Sequence, residues 1–186
     1  MFNKAIFFLV VVVVAFTGCG GNSVSKSDVD FGRLKNVKSK YSNLQFSIPA
    51  NWIELSKTET SFFDICVVDE LYGTAIYLVP LIIDFEIKLN SESENLERIV
   101  YYSQLLKEAE YNTTIDKEEI AYFSLNNIQF ASYEFSDGSG SKVKTVVFEH
   151  NSGPQELTFR KINFDNGEKT YFDAEFAEKI ILNSIQ

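Results

Sequence analysis

The chain has 186 residues, 26 acidic against 17 basic side chains and a formal net charge of −9. That length suffices for one domain with a buried core, and the acidity excludes a nucleic-acid-binding surface, which must be positive. One histidine and two cysteines exclude a framework of several disulfides and leave too few nitrogen and sulfur ligands for zinc.

In chain order, Lys4 is the only charge before the apolar run Ala5 to Phe16. A helix needs about 20 residues to cross hydrocarbon ~30 Å thick, and this run reaches only about 18 Å. A positive start, a short apolar core and small residues behind it read as a secretory signal over 1–18. Phe16-Thr17-Gly18-Cys19 resembles the bacterial lipobox, in which cleavage precedes a cysteine whose thiol carries diacylglycerol. Phe16 stands where Leu is usual. The resemblance implies lipidation of Cys19. Two or more acyl chains hold a protein stably at a membrane, whereas one holds it reversibly. The expected mature protein is therefore anchored to a membrane without spanning it, in the cell envelope and facing the periplasm or the exterior.

Residues 19–40 read as the lipidated cysteine and a flexible tether, since "GGNSVSKSD" is Gly/Ser-rich and a coil of this kind spans about 25 Å. The tether is basic, with Lys26, Arg33, Lys35, Lys38 and Lys40 against Asp28 and Asp30, whereas residues 41–186 carry 24 acidic and 11 basic side chains. It reads as a solvated linker, with anionic head groups as the alternative contact.

From Tyr41 apolar runs alternate with turns. "LQFSIP" (44–49) is a half-buried strand ended by Pro49. "SFFDICVV" (61–68) and "TAIYLVPLII" (74–83) are apolar on both faces, as central strands are, with Pro80 marking an edge or a bulge. In 91–110 the period changes: Ser91 and Glu94 form a capping box, and Leu96, Ile99, Tyr102, Leu106 and Ala109 form the expected inward stripe of a helix. Strands follow at 119–125, 128–136, 142–150 and 155–163, joined by the hairpin links Asn126-Asn127, 137–141 and 151–154. A last helix runs from about Phe172 to Ser184, with Thr170 and Asp173 as its capping box. The sequence thus predicts one α+β domain over 41–186, a mainly antiparallel sheet of about six to seven strands covered by helices.

Two stretches carry a family resemblance. "YSNLQFSIPANW" (41–52) is similar to the opening of PsbP-like domains, with a strand, Pro-x-x-Trp and a second strand. "FAEKIILNSI" (176–185) is similar to their closing helix. Asn51 stands where the family usually has Gly, and Asn tolerates the left-handed conformation that such a turn takes. The resemblance implies an α/β/α sandwich. It also places the chain beside extrinsic proteins of the photosynthetic oxygen-evolving complex and bacterial lipoproteins without an assigned role. It implies no functional residue, because the matched positions are scaffold.

Chemistry is sparse. His150 has no Gly-x-Ser-x-Gly elbow beside it. "GSGS" (138–141) lacks the Gly-Lys-Ser/Thr ending of a phosphate loop and lies between strands. Asp116, Glu118 and Glu119, with Asp137, are weak candidates for a hard cation, without EF-hand spacing; a solvated acidic surface is the plainer reading. Tyr101, Tyr102, Tyr122, Tyr133 and Phe135 line either a groove for a glycan or apolar ligand, or a sheet core. Cys66 is either a small buried apolar residue or the source of an intermolecular disulfide. No catalytic residue and no cofactor are expected. The leading expectation is a non-enzymatic lipoprotein that docks on an envelope protein or binds a small ligand. A carboxylate-based hydrolase and a cation-dependent surface adhesion module are the alternatives.

Overall fold

Burial on both faces decides most of this fold. Ile128–Ser136 (β7) and Lys142–His150 (β8) are buried on both faces through their middles, so each strand needs a covering layer on either side. The computed structural model describes residues 33–55, 62–70, 72–83, 92–116, 119–162 and 174–186. The stretch expected to be a signal, Cys19, the expected tether up to residue 32, the expected capping residues Ser91, Thr170 and Asp173, and Glu118 lie outside the described residues.

The strands are β1 (Leu34–Lys38), β2 (Gln45–Pro49), β3 (Ile53–Leu55), β4 (Ile65–Val68), β5 (Thr74–Pro80), β6 (Ala121–Leu125), β7, β8 and β9 (Gly153–Lys161). The helices are α1 (Glu92–Tyr111) and α2 (Ala174–Ser184). Seven strands form one antiparallel sheet in the order β3-β4-β5-β9-β8-β7-β6, and β1 and β2 form a separate pair. The expected α+β architecture is therefore present, with hairpins joining β6 to β7, β7 to β8 and β8 to β9. Asn126 and Asn127 both take positive φ, 50° and 64°. That is the conformation a two-residue hairpin needs to follow the strand twist.

β1 lies inside the stretch expected to be tether. It pairs with β2 from Leu34↔Pro49 to Lys38↔Gln45, its Val37 is buried, and Lys35 Nζ donates to the Trp52 carbonyl. The folded part thus begins before residue 41. Pro80 also departs from expectation. It ends a central strand: β5 pairs with β9 as far as Pro80↔Gln155, but with β4 only to Leu78. The missing N–H therefore costs no ladder bond on the β4 side. Asn51 is not among the residues with positive φ. Its turn closes through the Trp52 N–H donating to the Pro49 carbonyl at 3.0 Å, and Trp52 is buried in the core.

One sheet face carries Ile76, Leu78, Phe130, Val146, Phe148, Leu157 and Phe159. They pack with Phe46 and Ile48 of β2 and with Ala177, Ile181 and Leu182 of α2. The chain end seals this layer: Gln45 and Gln186 exchange backbone hydrogen bonds of 3.1 and 2.9 Å, and the Ser47 N–H donates to Ser184 Oγ at 2.8 Å. The other face carries Ala131, Tyr133, Phe135, Val143 and Val147, packed with Leu96, Ile99 and Val100 of α1. Among the described residues, no helix is long and apolar enough to cross a membrane.

Candidate functional site

The stripe that α1 turns to the sheet is not the most apolar one available. It begins with Leu96, Ile99 and Val100 and continues through Ser103, Gln104 and Lys107, all buried. Leu106 and Ala109, expected inside, are exposed, and Tyr102 is half-buried. The helix is rotated by about one residue, near 100°, from the rotation that hydropathy favours.

The cause is Glu156 of β9, which is 1% exposed and faces α1. Its Oε1 lies 2.8 Å from Lys107 Nζ and accepts from Thr158 Oγ1 at 3.1 Å. Its Oε2 accepts from Ser103 Oγ at 2.5 Å, and Ser103 Oγ also meets the Tyr133 hydroxyl at 2.7 Å. Lys107 Nζ reaches Glu110 Oε2 as well, at 3.2 Å. Taking two charges out of water is costly, and only such close pairing with filled hydrogen bonds offsets it. Burial pushes the Lys107 ammonium toward deprotonation, but Glu156 and Glu110 outweigh it and hold it above the ordinary lysine value. Burial, then the Glu156 charge, raise the Tyr133 hydroxyl well above its ordinary value. Ser103 is wholly buried and Tyr133 nearly so, so this seam offers no surface to a reacting molecule. It fixes the rotation of α1.

A second polar corner adjoins it. Asp137 Oδ1 accepts from Ser139 N at 2.9 Å, Ser139 Oγ at 2.6 Å and Ser141 N at 3.0 Å. Its Oδ2 accepts from Arg160 Nη2 at 2.7 Å. Burial would raise this carboxyl, but the Ser139 and Ser141 hydrogen bonds and the Arg160 charge outweigh it and hold it below the ordinary value. The "GSGS" tip is thus a turn wound around Asp137. The Tyr111 ring joins the two corners, with Lys107 Nζ 5.9 Å and Arg160 Cζ 6.0 Å from its centroid.

The remaining candidates are dispersed. Asp116 and Glu119 are exposed, and among the described residues no three His, Cys, Asp or Glu side chains are grouped to hold a metal. Of the five aromatics, Tyr133 and Phe135 belong to the core, whereas Tyr101 and Tyr122 are about half exposed. His150 Nδ1 meets Ser152 Oγ at 3.2 Å, a contact within its own turn. Cys66 is buried, and burial pushes its thiol up to about 11, as befits a small packed residue rather than a reactive one.

Sequence reasoning missed Ser103, Lys107 and Glu156. The available signal was the alternation Glu156, Thr158, Arg160 against Leu157 and Phe159, a polar face on a strand flanked by strands on both sides. Tyr133, Thr145 and Thr158 stand in register across β7, β8 and β9 and extend that polar row.

No family model and no curated protein sequence matches the chain. Among solved structures it is similar to cyanobacterial PsbP (CyanoP) from Synechocystis, with a TM-score of 0.53 and 12% identity, covering 87% of this chain and 96% of that one. A crystal structure from Bacteroides thetaiotaomicron overlaps with a TM-score of 0.44 at 9% identity, covering 82% of this chain and 47% of that one, too little to argue from. The likeness to CyanoP is one of fold.

Proposed function

From a PsbP-like α+β fold as premise, we propose that this chain is a bacterial lipoprotein, anchored through Cys19, whose domain is a non-enzymatic accessory module. It docks on an envelope protein or binds a small ligand. The observation that carries the reading is the rotation of α1, which holds polar side chains inside and leaves Tyr101, Leu105 and Leu106 exposed. Apolar side chains clustered at a surface mark interaction sites. The carboxylate-hydrolase alternative draws no support from Glu156, the most enclosed carboxylate of the α1 seam, because its oxygens are engaged by Lys107, Ser103 and Thr158.

The test is crosslinking in intact cells followed by capture of the native protein, with a thermal-shift screen of small ligands on the purified chain. One dominant envelope partner, or one ligand that raises Tm, is the expected result. Recovery of the bare protein together with a flat screen overturns the reading. The anchor has its own check: Cys19→Ser should move the protein out of the membrane fraction, and an unchanged fraction would refute lipidation.

A further inference from the structure

The exposed side of α1 has a definite chemistry. Tyr101 and Leu105 lie one turn apart on its outward line, 51% and 41% exposed, with Leu106 beside them at 42%. Tyr122 of the edge strand β6 adds a ring that is 52% exposed. Tyr122 pairs in register with Ala131, so it stands on the sheet face that α1 covers. Glu94 and Glu97 are exposed on the same side, and Arg98 is half-buried among them. The patch is therefore apolar along its centre and flanked by acids, Glu94 and Glu97 before it and Glu108 and Glu110 after it, on a domain with 24 acidic and 11 basic side chains from residue 41 onward.

We propose that this face is the docking surface, and that its occupant is a cationic, apolar segment of a protein partner. The inference rests on the accessory-module reading above and names the partner chemistry for it. Charge selects the occupant. A second copy would set Glu94 and Glu97 against their counterparts or, in an antiparallel pairing, against Glu108 and Glu110, and like charges in juxtaposition suppress association. Anionic lipid head groups are repelled for the same reason. A segment carrying Lys or Arg beside Leu, Ile or aromatic side chains satisfies both parts: its cations meet the flanking acids, and its apolar side chains cover Tyr101, Leu105 and Leu106. Aromatic and aliphatic anchors of this kind carry most of the energy of an interface.

The experiment places a photo-reactive amino acid at position 105 of the full-length chain in the cells that make it, and at Glu54 and Asn151 as exposed controls on β3 and on the β8–β9 turn. Adducts are mapped by mass spectrometry on variants that match the parent in protease resistance. The expected result is one dominant adduct from position 105, on a partner segment with a net positive charge and apolar residues. Leu106→Glu should lower its yield about tenfold, as the loss of an interface anchor does. An adduct to a second copy, to lipid or to an acidic segment overturns the proposal. Adducts from the controls alone also overturn it while leaving the docking reading in place. No adduct at any position overturns both.

Discussion

The two helices cover opposite faces of one sheet by different means. α2 buries Ala177, Ile181 and Leu182 in one apolar cluster with Phe46 and Ile48 of β2 and the sheet side chains beneath them, and any rotation of the helix would expose them. α1 does this only in its first half. In its second half Ser103 and Lys107 meet Glu156 and Tyr133, and the apolar side chains of those turns stand outward. Hydrophobic burial is non-directional and tolerant, whereas a buried ion pair is directional and admits one arrangement. The first face is held by area and the second by geometry, which leaves α1 with apolar side chains to spend on its surroundings.

The largest expected break in that comparison is Lys107→Met, which leaves Glu156 buried without its cation, held only by Ser103 and Thr158. A loss of about 3–5 kcal/mol is expected from removing one partner of a buried pair, measured by urea unfolding. Pairing it with Glu156→Leu should restore most of the loss, since well-packed apolar residues replace such pairs at little cost. If the double variant is as unstable as the single one, the seam is not an isolated ion pair. On the other face, Ile181→Ala should cost about 2–5 kcal/mol through lost transfer energy and a cavity. No second substitution on α1 should rescue it, because sites far apart act additively.

Acidity gives a smaller, signed effect. Asp137 is held below its unfolded value, so its contribution is complete above about pH 4 and fades as pH falls through the folded value. Lys107 is held above its unfolded value, so its contribution is complete below about pH 10 and is lost as pH rises further. Tm measured against pH should therefore decline at both ends, and Asp137→Asn should flatten the acid limb alone. The smallest effect on stability is expected from Leu105→Ser, within about 0.5 kcal/mol by thermal melting, as at ordinary surface positions. A large loss there would mean that the outer face of α1 belongs to the core.

Much of this was legible in the sequence. The strands 128–136 and 142–150 follow from their β-branched and aromatic residues between turn signals, and both helices from their period. β1 was not legible, because Leu34 and Val37 are the only apolar residues between Arg33 and Lys40, and its pairing depends on β2, seven to fifteen residues away in register. β3 has three residues, too few for any period. The existence of α1 was plain, but its rotation was not: hydropathy weighs Leu106 above Lys107, and the side chain that reverses the order, Glu156, lies on a strand far along the chain. Asp137 was read as a cation candidate because its hydrogen-bond donors, Ser139 and Ser141 in the turn and Arg160 across the sheet, are arranged only by folding.

The position of β1 has a consequence for how the domain explores its surroundings. With Leu34 already in a strand, no more than thirteen residues, 20–32, separate the fold from Cys19. Whatever their conformation, they reach at most about 45 Å. A lipid at Cys19 would confine the domain to a shell of that radius above the bilayer, where a partner in the same membrane is present at an effective concentration on the order of millimolar. Under that confinement a docking face with micromolar affinity would already be nearly saturated.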